Sequence, residues 1–199
     1  IPEASDKKQE MIMKDEYLNK EEKQKLLKIA RASVVESVTG TRQPDIPVIE
    51  ERLKENCGAF VTLKKHGELR GCIGYIIAAK PLYETVKDVA RSAAINDHRF
   101  SPVSGDELDD IELEISVLTP LKICKDVKEI IVGKHGIYMK KGFNSGLLLP
   151  QVATEQGWDR ETFLKHTCLK AGLPANAWKD ASTEIYTYSA EVFDEEQLK

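Results

Sequence analysis

The sequence predicts an α+β protein in which helices flank a mostly antiparallel sheet. Two strand-like segments on either side of residue 65 are joined by a link of a few residues, which suits only an antiparallel pair. A later segment, residues 111–118, alternates apolar and polar side chains as a half-buried strand does. Helical and strand-like segments do not alternate strictly along the chain, which argues against a doubly wound parallel sheet.

The first predicted element is a helix that begins after Asn19 and ends at Gly40. Asn19 stands three residues before Glu22, which is the spacing of a capping box, and glycine commonly follows the last helical residue. Residues 1–18 are expected to form a flexible N-terminal segment. The apolar side chains recur close to the helical period and predict one buried face: Leu27, Ala30, Val34 and Val38.

A short helix within residues 48–55 leads to a predicted β-hairpin of residues 58–64 and 69–76. We prefer a three-residue loop, residues 65–67, with glycine in the left-handed third position. A two-residue loop would mix the apolar and polar faces. The preferred loop predicts these cross-strand pairs: Leu63 with Leu69, Val61 with Gly71, Ala59 with Ile73, Thr62 with Arg70 and Phe60 with Cys72.

The elements after the hairpin follow from the same rules. Pro81 suits the first turn of a second helix, whose apolar side chains are Leu82, Val86, Val89, Ala90 and Ala93. Residues 111–118 form a strand with Glu112 and Glu114 on its polar face. The remaining predicted elements are short strands at residues 136–139 and 146–149, a helix from Pro150 to about Gly157, a helix capped by Asp159, and a last strand over residues 185–193.

With 199 residues and 41% hydrophobic residues, the chain can bury a full core and is expected to be one ordinary domain or one domain with an appendage. The net charge of -4, with both signs interspersed, argues against general nucleic-acid binding. The sequence has neither an apolar run of membrane length nor the order of a secretory signal, so we expect a cytoplasmic protein. The four cysteines form no Cys-x-x-Cys pair and suit a reducing compartment: Cys57, Cys72, Cys124 and Cys168.

The most informative segment is Leu69-Arg70-Gly71-Cys72-Ile73-Gly74. Two glycines in a strand indicate a bulge or a close approach by a ligand or another element. Arg70 shares a strand face with Cys72, and a cation beside a thiol favours the reactive thiolate. The functional interpretation makes Cys72 a nucleophile, a carrier or a soft ligand. The structural alternative is a small buried residue in a tightly packed strand.

Other residues complete the predicted site. Glu114 is the candidate for proton transfer, although a solvated strand face also explains it. Arg99 suits binding of a carboxylate or phosphate, or else a loop ion pair with Asp97. No motif for a cofactor and no metal-ligand spacing is present, so we predict neither. The predicted ligand-binding residues are Gly71, Gly74, Asp97, Arg99, Phe100 and Gln151.

Six segments form a recognisable set of motifs. In chain order they are Gly58-Ala-Phe-Val-Thr-Leu, Leu69-Arg-Gly-Cys-Ile-Gly, Asp97-x-Arg-Phe-x-Pro102, Glu112-Leu-Glu-Ile-Ser-Val-Leu-Thr-Pro120, Gly146-Leu-Leu-Leu-Pro-Gln-Val152 and Gly157-Trp-Asp. The set resembles the AMMECR domain family, in the family's order and from about Asn19 to Phe193. His98 departs from the pattern, which more usually has proline there, so a mechanism that needs His98 would not be the family's.

The resemblance implies an AMMECR-type domain over residues 19–199, with a larger subdomain and a smaller one within residues 130–175. It also implies a cleft between them that is floored by the Arg-Gly-Cys segment, and partnership with Memo-like and radical-SAM proteins. Two functions follow as hypotheses. One is an enzyme or enzyme component that acts on a small polar or anionic group. The other is a non-catalytic binding or adaptor module that works with those partners.

Overall fold

The computed structural model describes residues 16–77 and 79–198. The chain forms two compact units: Ile1–Val117 with Glu191–Lys199, and Leu118–Ala190. Each unit combines an antiparallel four-stranded sheet with helices, so the α+β prediction is confirmed, with two sheets in place of one. Of the predicted flexible segment, residues 1–15 lie outside the described part. Residues 130–175, predicted to hold the smaller subdomain, lie inside the second unit.

The first helix, α1 (Lys20–Thr39), has the predicted ends. The Asn19 side chain accepts a hydrogen bond from the Glu22 N–H while the Glu22 carboxylate accepts one from the Asn19 N–H. At the other end Gly40 is left-handed, with φ 70°, and its N–H donates to the Glu36 carbonyl at 2.9 Å. Both ends of the helix are therefore specified by local sequence.

The remaining elements of the first unit follow in chain order. They are α2 (Glu51–Lys54), β1 (Gly58–Lys65), β2 (Glu68–Tyr75), α3 (Leu82–Ile95), β3 (Ile111–Leu118) and β8 (Ala190–Asp194). The strands form one sheet in the order β2-β1-β3-β8, so β2 is an outer strand. Helix α3 packs against β1 and β2, and α1 packs against α3. The predicted apolar face of α3 is buried: Leu82, Val86, Val89, Ala90 and Ala93.

The second unit has its own sheet and core. Its elements are β4 (Lys122–Ile123), β5 (Gly136–Lys141), β6 (Asn144–Leu148), α4 (Pro150–Glu155), α5 (Arg160–Lys170) and β7 (Glu184–Tyr188). The strand order is β4-β7-β5-β6. Phe163 and Cys168 of α5 are fully buried with Ile137 and Met139 of β5. An apolar core therefore lies between this sheet and α5.

The predicted hairpin register is wrong by two residues. The turn has two residues, His66 and Gly67, with φ 53° and 79°, as a type I′ turn requires. The observed pairs include Thr62 with Cys72 and Val61 with Ile73, and the register shifts between Leu63 and Lys64. The extra residue on β2 is Arg70, so this bulge restores the alternation that a two-residue turn would otherwise reverse.

The predicted last strand, residues 185–193, is two strands in different sheets. The two strands are separated at Ser189. Its carbonyl accepts a hydrogen bond from the Thr119 N–H, and its N–H donates one to Thr119 Oγ1, both at 2.8 Å. Strand β7 pairs with β4 and β5, whereas β8 lies beside β3. Alternation along one segment does not show which sheet each residue joins, so the sequence pattern merged the two strands.

Gly71→Ala should destabilise the protein by about 1–3 kcal/mol because its new methyl group overpacks the contact between β2 and α3. A Cβ at Gly71 would lie 2.3 Å from the Ala93 carbonyl oxygen. Urea unfolding followed by circular dichroism measures the change. The matched control is Gly105→Ala, where a Cβ meets nothing within 4 Å. Equal stability of the two variants would contradict this packing.

Candidate functional site around Cys72

Cys72 lies on the outer strand β2, and the loop after α3 holds its backbone. Its N–H donates to Asp97 Oδ2 at 2.9 Å. Its carbonyl accepts from Arg99 Nη2 at 3.2 Å. Two side chains from one loop thus bind the two backbone groups that an added strand would otherwise use. The structure brings together three of the predicted residues, Cys72, Asp97 and Arg99.

Asp97 and Arg99 form a paired unit on that loop. Arg99 Nε donates to Asp97 Oδ1 at 3.0 Å, and Nη2 donates to Oδ2 at 2.7 Å. The Asp97 side chain is 5% exposed, whereas the Arg99 side chain is 57% exposed. The Arg99 side chain lowers the pKa of Asp97 well below its usual range, against the opposing effect of burial, and the N–H groups of Cys72 and Arg99 help. The carboxylate is therefore ionised and immobilised while the cation reaches solvent.

The thiol of Cys72 has a hydroxyl donor. Thr62 lies directly across on β1, and its Oγ1 donates to Cys72 Sγ at 3.2 Å. Cys72 itself is half-buried. Among the residues that the structure describes, no carboxylate or imidazole is hydrogen-bonded to this sulfur. The arrangement supplies a hydrogen-bond donor to the sulfur, without a base bonded to it among the described residues.

The charge of Arg99 also acts on this sulfur. Hydrogen bonds to Asp97 raise the pKa of Arg99, and the charge of a Cys72 thiolate adds to that rise. Arg99 is also bound to the carbonyl of the same residue through Nη2. The cation next to the thiol is therefore Arg99.

Arg70 was predicted to be that cation, and the geometry does not support this role. Its Nε and Nη2 donate to the two carboxylate oxygens of Glu107 at 3.0 and 2.9 Å, and Nη1 donates to the Ser101 carbonyl at 2.9 Å. In the described part of the chain, no hydrogen bond joins Arg70 to the Cys72 side chain. The bulge turns Arg70 toward Glu107, so Arg70 positions the loop that follows Arg99.

Glu114 is likewise not placed beside Cys72. It lies on β3, and β1 separates β3 from β2. Two strand spacings amount to about 10 Å, which is beyond hydrogen-bonding reach. The Glu114 carboxylate instead accepts from Lys64 Nζ at 2.7 Å. This pair is an ordinary ion pair on the polar face of the sheet, and the predicted proton transfer has no support in this arrangement.

Contacts within the protein explain why glycine is required at both Gly71 and Gly74. A Cβ at Gly71 would meet the Ala93 carbonyl oxygen at 2.3 Å, and a Cβ at Gly74 would meet the Phe60 ring at 2.2 Å. The close approach that the glycines predicted is thus to α3 on one face and to a ring on β1 on the other. Their ligand-binding roles stay predictions.

The last two predicted ligand-binding residues are Phe100 and Gln151, which lie in different parts of the chain. The Phe100 ring packs against the Arg99 guanidinium, with 5.5 Å from the central carbon to the ring centroid. It therefore belongs to the Cys72 site. Gln151 lies in the second unit, at the second position of α4, and is exposed.

A larger concavity in the first unit does not carry the predicted residues. It has a volume of about 840 Å³ and is lined partly by α1 and the C-terminal segment. Its half-buried cation, Arg31, is already bound by the Glu195 carboxylate and by the carbonyls of Leu108 and Ile111. These contacts tie chain segments together, so we place the candidate site at Cys72.

Comparison with known proteins identifies the family. A sequence model described as AMMECR1 matches residues 27–193. The chain belongs to the AMMECR1 family. It is 44% identical to a protein of Methanothermobacter thermautotrophicus over 191 residues, covering 92% of this chain and all (100%) of that protein. It is also 44% identical to a protein of Methanopyrus kandleri, covering 92% of each.

A solved structure supports the fold of this AMMECR1 family member. An uncharacterised protein from Pyrococcus horikoshii matches with a TM-score of 0.70 and 41% identity, over 86% of this chain and 90% of that one. The resemblance drawn from six motifs is therefore confirmed. No helix in the described residues is long and apolar enough to cross a membrane.

Sequence reasoning missed two residues of the site. Thr62 was correctly assigned to the polar face, but the wrong turn length predicted that it pairs with Arg70, whereas it pairs with Cys72. Glu107 was not singled out, although Ser104 and Glu107 have the spacing of a capping box, and the structure shows that box. That spacing is a local signal that could have located the turn that receives Arg70.

Acidification should selectively remove the stability that Asp97 provides. Because its pKa is lowered on folding, its contribution is complete above the unfolded value of about 3.9 and is lost as pH falls below it. The difference in unfolding free energy between wild type and Asp97→Asn should therefore shrink from pH 7 to pH 3, measured by urea unfolding. Asp109→Asn, at an exposed position, should change stability little at either pH. A pH-independent difference for Asp97→Asn would contradict the paired carboxylate.

Proposed function

We propose that this protein is an enzyme or enzyme component that acts on a small polar or anionic group through the Cys72 thiol, with Arg99 binding the anion. One observation carries the proposal. Arg99 donates to the carbonyl of Cys72 itself while its side chain stays 57% exposed. A group bound by Arg99 from solvent is thereby held next to the thiol.

Arg99 has donors left for such a group. Its Nε and Nη2 are used by Asp97 and Cys72, whereas Nη1 donates to no residue in the described ranges. Carboxylates and phosphates accept such guanidinium donors in charge-assisted hydrogen bonds. Because Asp97 holds the guanidinium in place, little side-chain entropy remains to be lost on binding.

The site residues then have distinct roles. Cys72 supplies the sulfur, and Thr62 donates a hydrogen bond to it. Asp97 is a positioning residue, since it acts through Cys72 and Arg99. Arg70 positions the neighbouring loop through Glu107.

The second candidate function is a non-catalytic binding or adaptor module. It is favoured by the lack of a base on Cys72 Sγ among the described residues, since cysteine nucleophiles normally have one. On this proposal Cys72 serves packing, and the module works with Memo-like and radical-SAM proteins, as the family resemblance implied.

Alkylation of the folded protein by iodoacetamide near pH 7 tests the enzyme proposal. Cys124 is the other half-buried thiol, so the reactions are run with Cys124→Ser, and mass spectrometry measures modification of Cys72. We expect Cys72 to react faster than a model thiol. Arg99→Gln should slow it by about tenfold, because the stabilising cation is lost.

Arg70→Gln is the matched control for that experiment. It removes the same charge from the strand that carries Cys72, but Arg70 is bound to Glu107, so the rate at Cys72 should stay near the wild-type value. The nucleophile proposal fails if Cys72 reacts no faster than the model thiol, or if Arg70→Gln slows it as much as Arg99→Gln does.

The adaptor proposal predicts stable complexes with purified Memo-like or radical-SAM proteins from the same organism. Size-exclusion chromatography with light scattering measures the complexes. Cys72→Ala should leave them intact, because the thiol serves only packing on this proposal. If the mixtures elute as separate components, the adaptor proposal is rejected.

A further inference from the structure

Strand β2 is an outer strand of its sheet. On its free edge, within the described part of the chain, the outward backbone groups of one residue are hydrogen-bonded to side chains, and those of another residue are not. In an antiparallel sheet, the backbone groups of successive residues point alternately toward the partner strand and away from it. The Cys72 N–H binds Asp97 and its carbonyl binds Arg99. Both groups therefore point away from β1. Two residues later, the N–H and carbonyl of Gly74 point the same way.

The backbone groups of Gly74 have no such partner. Within residues 16–77 and 79–198, no loop or side chain binds its outward N–H or carbonyl. On the other side of Cys72, the edge is covered differently, since Arg70 forms a bulge and donates to the carbonyls of Ser101 and Pro102. The open part of the edge therefore begins at Gly74.

The residues that follow Gly74 do not protect this edge. Outer strands usually carry charges, proline or bulges that prevent pairing with another chain. Here Tyr75 and Ile77 are 50% and 62% exposed, and Ile76 is partly exposed as well. Exposed apolar side chains beside unpaired backbone groups are the features that an added strand uses.

The direction of such a strand brings its end to Arg99. The pairings described for this sheet and for the sheet of the second unit are antiparallel. An antiparallel strand added at Gly74 runs toward Cys72, and the two positions are about 7 Å apart. Its C-terminal end therefore reaches the guanidinium that binds the Cys72 carbonyl. A terminal carboxylate is complementary in charge and shape to the unused Nη1 donors.

We propose that the edge of β2 binds the C-terminus of an extended peptide from a partner protein. The second residue from the end exchanges hydrogen bonds with Gly74, and the terminal carboxylate binds Arg99 beside Cys72. The inference rests on the proposed function in that Arg99 is the anion-binding residue of both. It does not require Cys72 to react.

Synthetic peptides provide the test. The probe is acetyl-Ala-Val-Thr-Val with a free carboxylate. One control is the same peptide with a C-terminal amide, and the other carries an N-methyl group on the threonine, which removes the N–H that pairs with Gly74. Affinity is measured by NMR titration of the ¹⁵N-labelled protein, and hydrogen exchange reports protection of the Gly74 amide.

We expect the free carboxylate to protect the Gly74 amide, and both control peptides to bind about tenfold more weakly. Arg99→Gln should abolish the difference between carboxylate and amide while leaving the effect of N-methylation. Cys72→Ala should bind the probe as the wild type does, so loss of thiol reactivity and loss of peptide binding are separate outcomes.

Three results would overturn the inference. One is no protection of the Gly74 amide at saturating peptide. Another is equal affinity of the carboxylate and amide peptides for wild type. The third is protection of Gly74 in the absence of peptide that rises with protein concentration, because a second copy of the chain would then occupy the edge.

Discussion

The buried carboxylate of Asp97 is the interaction on which the candidate site depends. It accepts hydrogen bonds from the Cys72 backbone and from both the main chain and side chain of Arg99. A carboxylate that is only 5% exposed is stable when such charge-assisted bonds replace its water. Here they do so while joining the end of α3 to the outer strand. One residue thus fixes the loop, the strand edge and the cation beside the thiol.

The two arginines near Cys72 show how similar residues acquire different roles. Arg70 is 14% exposed in its side chain and is bound on three sides by Glu107 and two carbonyls. Arg99 forms an ion pair with Asp97, but its Nη1 donates to no residue that the structure describes. A guanidinium whose three nitrogens all donate to the protein stabilises the fold, whereas one with an unused nitrogen in a fixed position can bind a ligand. This difference places anion binding at Arg99.

The edge of β2 connects these observations. The same Asp97 and Arg99 contacts that hold Cys72 also close the strand edge at that residue, so they prevent pairing there and leave Gly74 open. Gly74 must be glycine because a Cβ at this position would overlap the Phe60 ring. Packing on one face of the sheet and hydrogen bonding at its edge therefore meet within three residues.

Local sequence determined most elements of this protein, because their signals lie within a few residues. The capping box at Asn19, the apolar face of α3 and the alternation of β3 all fold as expected. Tertiary structure decided the rest. The bulge at Arg70 depends on pairing with β1, the split at Ser189 depends on which sheet each half joins, and the choice between Arg70 and Arg99 depends on Glu107 and Asp97. Cross-strand register and ion-pair partners are set by residues distant in sequence, so no local pattern encodes them.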